Sequence, residues 1–312
     1  MGYLKAGKWI EQAVNPETED GEFHRQKQEF RDWIGEKDFA AEKNRYHLYV
    51  SLACPWAHRT LIMRKLKKLE DVIDVSVVHP HMLDKGWSFA NDFPGATGDK
   101  VHNLDFLKDL YVQVKSDFTG RVTVPILYDK KSDAIVNNES AEILRILNSC
   151  FNEFTEVKDD FYPEDLREEI HKINEDVYHN FNNGVYKTGF ARKQEAYEKN
   201  YKALFECVEK LEAHLTGRQF LVGETLTEAD IRLYTTLVRF DAVYHVHFKC
   251  NKQKISEYPT LQRYLCKLYN MEAFKTTTDF HHIKQHYYYS HESLNPMRIV
   301  PVGPQLKLDS GA

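Results

Sequence analysis

Ser51-Leu52-Ala53-Cys54-Pro55-Trp56-Ala57-His58-Arg59 is the stretch on which the reading of this chain turns. Tyr46 to Val50, just before it, reads as a short strand, and Pro55 opens a helix whose Leu61, Ile62, Leu66 and Leu69 share one face. Cys54 therefore ends the strand side of a turn and stands directly before the first helical residue. Unpaired backbone amides and the positive end of the helix dipole point at its sulfur. Such placement brings a thiol from about 8.5 into the range of about 3.5–7.5, so that thiolate is present at neutral pH. His58 and Arg59 add positive potential within the next turn. A structural cysteine at a strand–helix junction is the plainer alternative; the polar setting, the helix start and the basic neighbours together favour a reactive thiolate. Position 57 is Ala57, where a dithiol site would place its second cysteine. A mixed disulfide on Cys54 must then be resolved by an external thiol.

Beyond this helix, Val72 to Val78 is a β-branched run and a predicted buried strand. An insertion follows over 79–120, long enough to expect a functional loop. Val122 to Tyr128 and Ala134 to Val136 read as strands joined by the polar turn Asp129-Lys130-Lys131-Ser132-Asp133. Asn137 and Asn138 are expected to cap a helix from Glu139 to Asn148 with Ile143, Leu144 and Leu147 inward. Strand, helix, strand, insertion, strand, strand, helix, with Pro125 at the start of the third strand, is the order of a thioredoxin-like α/β domain, placed at 41–150. Residues 1–40 are polar with scattered aromatics (Trp9, Phe23, Phe30, Trp33) and are expected to wrap the body of the protein as an extension. Residues 149–163 lack periodicity and read as a linker. From 163 to 312 an all-α domain is expected. Leu166, Ile170, Ile173 and Val177, and again Tyr201, Leu204, Val208, Leu211 and Leu215, step at helical spacing. Thr227-Glu228-Ala229-Asp230 has the form of a capping box, with Leu226 and Ile231 as its hydrophobic staple. Pro296, Pro301 and Pro304 require an extended tail.

The totals narrow the class of function. A chain of 312 residues allows about two domains, and 42% apolar with 29% charged residues is ordinary for a globular protein. The net charge of −5, without a basic block, disfavours nucleic acid as the main partner. No apolar run nears the roughly 18 residues of a membrane span. Met1 to Gln12 lacks the apolar core of a secretory signal, and Ala6 stands where a myristoylation motif wants Ser or Thr. A soluble, cytoplasmic protein without a membrane partner is expected. Five cysteines at wide spacing, with no CxxC or CxxH pair, signal neither a zinc site nor a disulfide framework. Cys150, Cys207, Cys250 and Cys266 lie in apolar or helical-looking sequence and read as small hydrophobes. His282 and His286 are four apart, but no third ligand stands near them and no metal is expected.

Two further segments suit a ligand beside Cys54. A cis peptide at Val124-Pro125 would turn the backbone of Val124 outward, where an extended peptide such as glutathione can pair as a short added strand; an ordinary trans proline is the alternative. At Asn138-Glu139-Ser140 the helix amides and the Ser140 hydroxyl suit a carboxylate, and the Glu139 carboxylate suits an ammonium group. The γ-glutamyl end of glutathione offers both. Taken alone, the tripeptide is equally plain capping chemistry.

CPWAHR at 54–59, GWSF at 86–89, RVTVPILYD at 121–129, NNES at 137–140, NNGVYKTGFA at 182–191, TEADIRLYTTLVRFD at 227–241 and IKQHYYYSH at 283–291, with NP and PVGP closing the chain, resemble the glutathionyl-hydroquinone reductases. These are the Xi-class glutathione transferases, relatives of the omega class. The likeness runs from about Lys5 to the last prolines. It implies the glutathione transferase fold, a homodimer, glutathione as co-substrate, and reduction of glutathionylated quinols to free hydroquinones. By matching motif it implies Cys54 as nucleophile, Trp87, Arg121, Val124, Pro125, Glu139 and Ser140 as the glutathione site, and Tyr186 and Tyr287 against the hydroquinone. Tyr287, Tyr288 and Tyr289 are consecutive, which leaves open the hydroxyl that faces the substrate. The residues themselves allow plainer roles. Trp87 suits a lid over the tripeptide or simple packing. Arg121 suits a carboxylate or solvent. Tyr186 follows a helix break at Asn182-Asn183-Gly184. An omega-like thioltransferase or dehydroascorbate reductase, and a glutathione-binding protein without turnover, are the alternatives. A conjugating transferase is disfavoured, because it needs a Tyr or Ser hydroxyl where this chain has a cysteine.

Overall fold

The sheet that leads into Cys54 is buried along almost its whole length. Tyr46 to Val50 is buried at every position, so its run of aromatic and β-branched residues suits a central strand; Ile126–Asp129 is equally buried, and Asp74–Val77 and Ala134–Asn137 are less buried only at their first residue. The structure, a computed structural model, describes residues 1–12, 18–36 and 38–309. In chain order the first elements are β1 (Gly2–Lys5), β2 (Lys8–Glu11), β3 (Tyr46–Val50), α1 (Pro55–Leu66), β4 (Asp74–Val77), α2 (Leu107–Val114), β5 (Ile126–Asp129), β6 (Ala134–Asn137) and α3 (Ser140–Ser149). The main sheet has the order β4-β3-β5-β6. β3 runs parallel to β4, with Leu48 opposite Val75, and antiparallel to β5, with Leu48 opposite Leu127. The parallel pair needs a crossover, which α1 supplies, and α1 packs on α3. The strand–helix–strand then hairpin–helix order is the thioredoxin-like one expected.

Then come α4 (Arg167–Asp176), a π-helical stretch Val177–Asn182, α5 (Gly184–Gly189), α6 (Gln194–His214), α7 (Glu228–Arg239), a second π stretch Phe240–Tyr244, α8 (His245–His247), α9 (Pro259–Tyr269), α10 (Glu272–Lys275) and α11 (Phe280–Ser290). The chain divides into two compact units, one of Met1–Val14, Gln26–Asp159 and Thr277–Ser290, the other of Asn15–Arg25, Asp160–Thr276 and His291–Ala312. This departs from the expected division in two segments: 277–290, with α11, belongs to the first unit, and 15–25 to the second. Hydrogen bonds explain the placement of α11. His282 Nε2 meets Pro94 O at 2.7 Å, His286 Nδ1 meets Pro80 O at 2.9 Å, and Ser290 Oγ accepts from Met82 N at 3.0 Å. The carbonyls of Pro80 and Pro94, in the irregular start of the 79–120 insertion, are thus met by α11.

Two other expectations are corrected, the cap of α3 and the loop reading of the insertion. The N-cap of α3 is Glu139, not Asn137 or Asn138; its carboxylate accepts from Ala141 N at 3.2 Å, while Asn137 Oδ1 accepts from Glu139 N at 2.8 Å. Within 1–40, β1 and β2 form a hairpin closed by Ala6 and Gly7, both with positive φ. The insertion contains α2, whose Leu107, Leu110 and Tyr111 are buried on one face. The capping box at the head of α7 is present as expected, and it anchors a helix buried at all of its positions.

A buried ion pair ties β3 to β5 in the first unit. Arg45 donates to both oxygens of Asp129, Nε at 2.9 Å and Nη2 at 2.7 Å. Beside it, His47 is buried against Ser76 Oγ at 2.8 Å, and that burial lowers its pKa from 6.5 to about 4. A depressed histidine favours the neutral ring in the fold, so its contribution is complete above pH 6.5 and is lost as pH falls toward 4. The full loss is about 3 kcal/mol. Denaturant unfolding at pH 7 and pH 4.5 should show this loss in the native chain and a much flatter response in His47→Gln. An equal slope in both would remove His47 from the account.

Candidate active site

The turn from β3 into α1 sets the geometry. Ser51 Oγ accepts from Ala53 N at 3.2 Å and Ser51 O accepts from Cys54 N at 3.2 Å, which closes a tight turn after the last strand residue. Cys54 is the N-cap of α1, extended at φ −75° and ψ 122°, with Pro55 at the first helical position. Its carbonyl takes the first helical bond, from His58 N at 3.0 Å. The first turn of α1 contains no acidic residue. The thiol is half-buried and donates to Val124 O at 3.7 Å. The peptide Val124-Pro125 is cis. Ala57 is fully buried, and the sequence of α1 contains no second thiol.

The other four cysteines are held differently. Burial raises the thiols of Cys150 and Cys266, pushes that of Cys207 up to about 12, and raises that of Cys250 further still. A thiol held protonated by burial is a poor nucleophile.

Several of the expected residues lie in the first unit with Cys54. Arg59, only 1% exposed, lies one helical turn on, its guanidinium 4.5 Å from the ring centre of Trp56 and its Nη1 3.4 Å from Ser140 Oγ. The head of α3, with Glu139 half-buried and Ser140 buried, is thereby linked to the helix that begins at Cys54. Trp87 is buried and stacks on His286, with ring centres 4.8 Å apart. Tyr287 and Tyr288 are buried on α11, and burial raises the Tyr288 phenol to about 12; Tyr289 is half-buried and stacks on His81 at 3.8 Å.

Arg121 is directed elsewhere. Its Nη1 donates to Gly2 O at 3.1 Å and its Nη2 to Gln12 Oε1 at 3.3 Å, with the ring of Tyr3 at 5.8 Å. In this structure it fastens the β1–β2 hairpin. Tyr186 belongs to the second unit. There it is half-buried beside Phe23, Phe248 and Tyr244, and the Arg25 guanidinium lies 5.1 Å from its ring centre, held by Asn183 Oδ1 at 2.7 Å. Neither Arg25 nor the Arg59–Ser140 link has a signature in the sequence, since both pairs join distant segments. Among the described residues no group of three or more His, Cys, Asp or Glu side chains is arranged to hold a metal ion, and no helix is long and apolar enough to cross a membrane.

Comparison with known proteins gives this arrangement its relatives. Residues 53–150 match the glutathione S-transferase N-terminal domain and residues 194–265 the glutathione S-transferase C-terminal domain. The chain is 49% identical to the glutathionyl-hydroquinone reductase YqjG of Escherichia coli (strain K12) over 99% of its own length and 97% of that protein. It belongs to the Xi-class glutathione S-transferases. The Xi-class glutathione S-transferase of Phanerochaete chrysosporium superposes with a TM-score of 0.92 at 53% identity, covering 94% of this chain and 96% of that one. The glutathione-bound structure of YqjG superposes at 0.88 with 50% identity over 93% and 96%. In this glutathione S-transferase the N-terminal match spans Cys54, Trp87, Arg121, Val124, Pro125, Glu139 and Ser140. Tyr186 and Tyr287 lie outside both matched ranges.

Proposed function

We propose that this chain reduces glutathionyl-hydroquinones to hydroquinones, with glutathione as reductant, through a mixed disulfide on Cys54. The observation that carries the reading is the half-buried Cys54 sulfur at the N-cap of α1, against Val124 O and with alanine in place of a resolving thiol. The 49% identity to a reductase of that name supports the substrate class.

In the first half-reaction the Cys54 thiolate attacks the glutathionyl sulfur. The carbon–sulfur bond breaks, its electron pair passes to the ring carbon, and that carbon takes up a proton, releasing hydroquinone. In the second, a glutathione thiolate attacks the mixed disulfide, oxidised glutathione leaves and Cys54 returns as thiol. For the tripeptide, we assign the Val124 backbone to the cysteinyl unit and the head of α3 to the γ-glutamyl end. Glu139 caps α3 through Oε1, so Oε2 is the oxygen assigned to the ammonium group. The Ser140 hydroxyl and the first amides of α3 suit the carboxylate. Trp87 suits the face of the peptide, while Arg121, engaged by the hairpin, acts at most by shaping the wall of the site. Tyr186 and Tyr287 are assigned by resemblance to the hydroquinone oxygens. The same resemblance supports a homodimer, and the lack of a secretory-signal core in Met1 to Gln12 supports a cytoplasmic location.

The test is a product assay. With a glutathionyl-naphthohydroquinone and glutathione, free hydroquinone and oxidised glutathione should appear in equal amounts with ping-pong kinetics. Fast reduction of a simple mixed disulfide with no hydroquinone release would favour the thioltransferase reading.

A further inference from the structure

One hydroxyl outside these assignments meets both loops of the proposed glutathione site. Tyr111, on α2 within the insertion, is fully buried. Its Oη donates to Thr123 O at 3.0 Å and accepts from Thr123 N at 3.3 Å and from Asn138 Nδ2 at 3.3 Å. A phenol oxygen has one hydrogen and two lone pairs, so these three contacts use it completely, with Thr123 Oγ1 a longer fourth neighbour at 3.4 Å. Thr123 immediately precedes Val124, and Asn138 immediately precedes Glu139 and Ser140.

We propose that Tyr111 is a positioning residue for glutathione, its hydroxyl locking the strand edge at Val124 to the head of α3. The proposal rests on the glutathione site described above. The tripeptide is gripped at two places, its cysteinyl unit at Val124 and its γ-glutamyl end at Glu139 and Ser140, so the distance between the two grips decides how the sulfur is presented. A displacement of about 1 Å in such a site costs about a hundredfold in rate. The surroundings leave the hydroxyl as the coupling element. The ring itself is held by Phe30 at 6.0 Å and Phe118 at 4.9 Å, contacts that survive without the oxygen. Asn138 is 3% exposed, and its Oδ1 has no hydrogen-bond partner among the described residues, so the bond to Tyr111 orients the amide. Residues 28–30 back the same pair: Thr123 Oγ1 donates to Gln28 Oε1 at 3.2 Å and Asn138 N to Phe30 O at 3.0 Å. Burial raises the phenol of Tyr111, which keeps it a donor throughout the neutral range.

Tyr111→Phe removes the oxygen and keeps the ring. Its KM for glutathione in the second half-reaction should rise about tenfold, while alkylation of Cys54 by iodoacetamide stays within about twofold of the native rate. Tyr128→Phe is the control for lost stability. That tyrosine is also fully buried and its Oη meets His102 Nε2 at 2.9 Å and Asp133 Oδ1 at 3.0 Å, not the site loops. Its glutathione KM should not move. Equal KM increases in both variants, or none in Tyr111→Phe while Glu139→Gln raises KM, would overturn the role of Tyr111 and leave the site standing. No change in Glu139→Gln or Ser140→Ala would overturn the site and this proposal with it. If Tyr111→Phe does not fold, Asn138→Ala cuts the same link from its other end and should show the same KM rise; an unchanged KM there counts against the proposal equally.

Discussion

Cys54→Ala should lose at least about a thousandfold in turnover of a glutathionyl-hydroquinone, because no other group can carry the sulfur between the two half-reactions. The loss should fall on both half-reactions, since no mixed disulfide forms and no second glutathione can be consumed. Folding should be spared. Cys54 is half-buried and makes a long contact of 3.7 Å to Val124 O, so little packing is given up. Cys54→Ser sharpens the separation: serine is a preferred N-cap residue, so α1 should keep or gain a few tenths of a kcal/mol while turnover still disappears. Calorimetry and the product assay on the same preparations measure both effects. The other cysteines offer no substitute, as burial raises each of their thiols. Activity within a few-fold of native in either variant would remove Cys54 from the mechanism.

The largest effect on stability is expected at Asp230. Its Oδ2 accepts from Thr227 N at 2.8 Å and from Thr227 Oγ1 at 3.0 Å, completing the capping box of α7. Its Oδ1 accepts from Leu221 N at 2.8 Å and from Tyr264 Oη at 2.7 Å, which joins the preceding loop and α9 to the same carboxylate. The group is fully buried, and so is α7 along its length. Asp230→Ala strands several donors without water, each costing about 1–3 kcal/mol, and should destabilise the chain by about 4 kcal/mol or more. The melting temperature should drop by roughly 8 °C or more. Asp230→Asn keeps one acceptor oxygen but turns an NH2 donor toward the donors already there, so its loss should be smaller yet clear. Thermal unfolding of the two variants tests this order; a shift of under about 2 °C for Asp230→Ala would contradict it.

Much of this was legible in the sequence because local signals and tertiary roles coincided. Pro55 after Cys54 marks a helix start whatever the surroundings, and the run Tyr46 to Val50 suits only a central strand. The capping box at Thr227 is local chemistry, written within four residues. Where the signal was shared between distant segments, reading failed or stopped. Leu107, Leu110 and Tyr111 have helical spacing, but α2 is short and lies among Gly, Asp and aromatic residues that read as loop. The β1–β2 hairpin turns on Ala6-Gly7, which lacks the Asn-Gly or Asp-Gly signature, and Ala6 takes its positive φ only because the rest of the hairpin holds it. For α3 the sequence points to Asn137 and Asn138 as caps, with Glu139 inside the helix; the role falls to Glu139 because Asn137 is taken by Glu139 N and by Glu142 Oε2 at 2.8 Å. Sequence order put α11 with the helices before it, whereas its histidines meet the carbonyls of Pro80 and Pro94 in the first unit. For Arg121 the sequence does not announce the contacts its guanidinium makes with Gly2, Tyr3 and Gln12.

Mass spectrometry of the native chain after incubation with oxidised glutathione tests the central claim most directly. A single glutathione adduct, mapped by proteolysis to the peptide of Cys54 and discharged by added glutathione, is the predicted result. An unmodified Cys54, or an adduct residing on Cys150 or Cys266 instead, would contradict it.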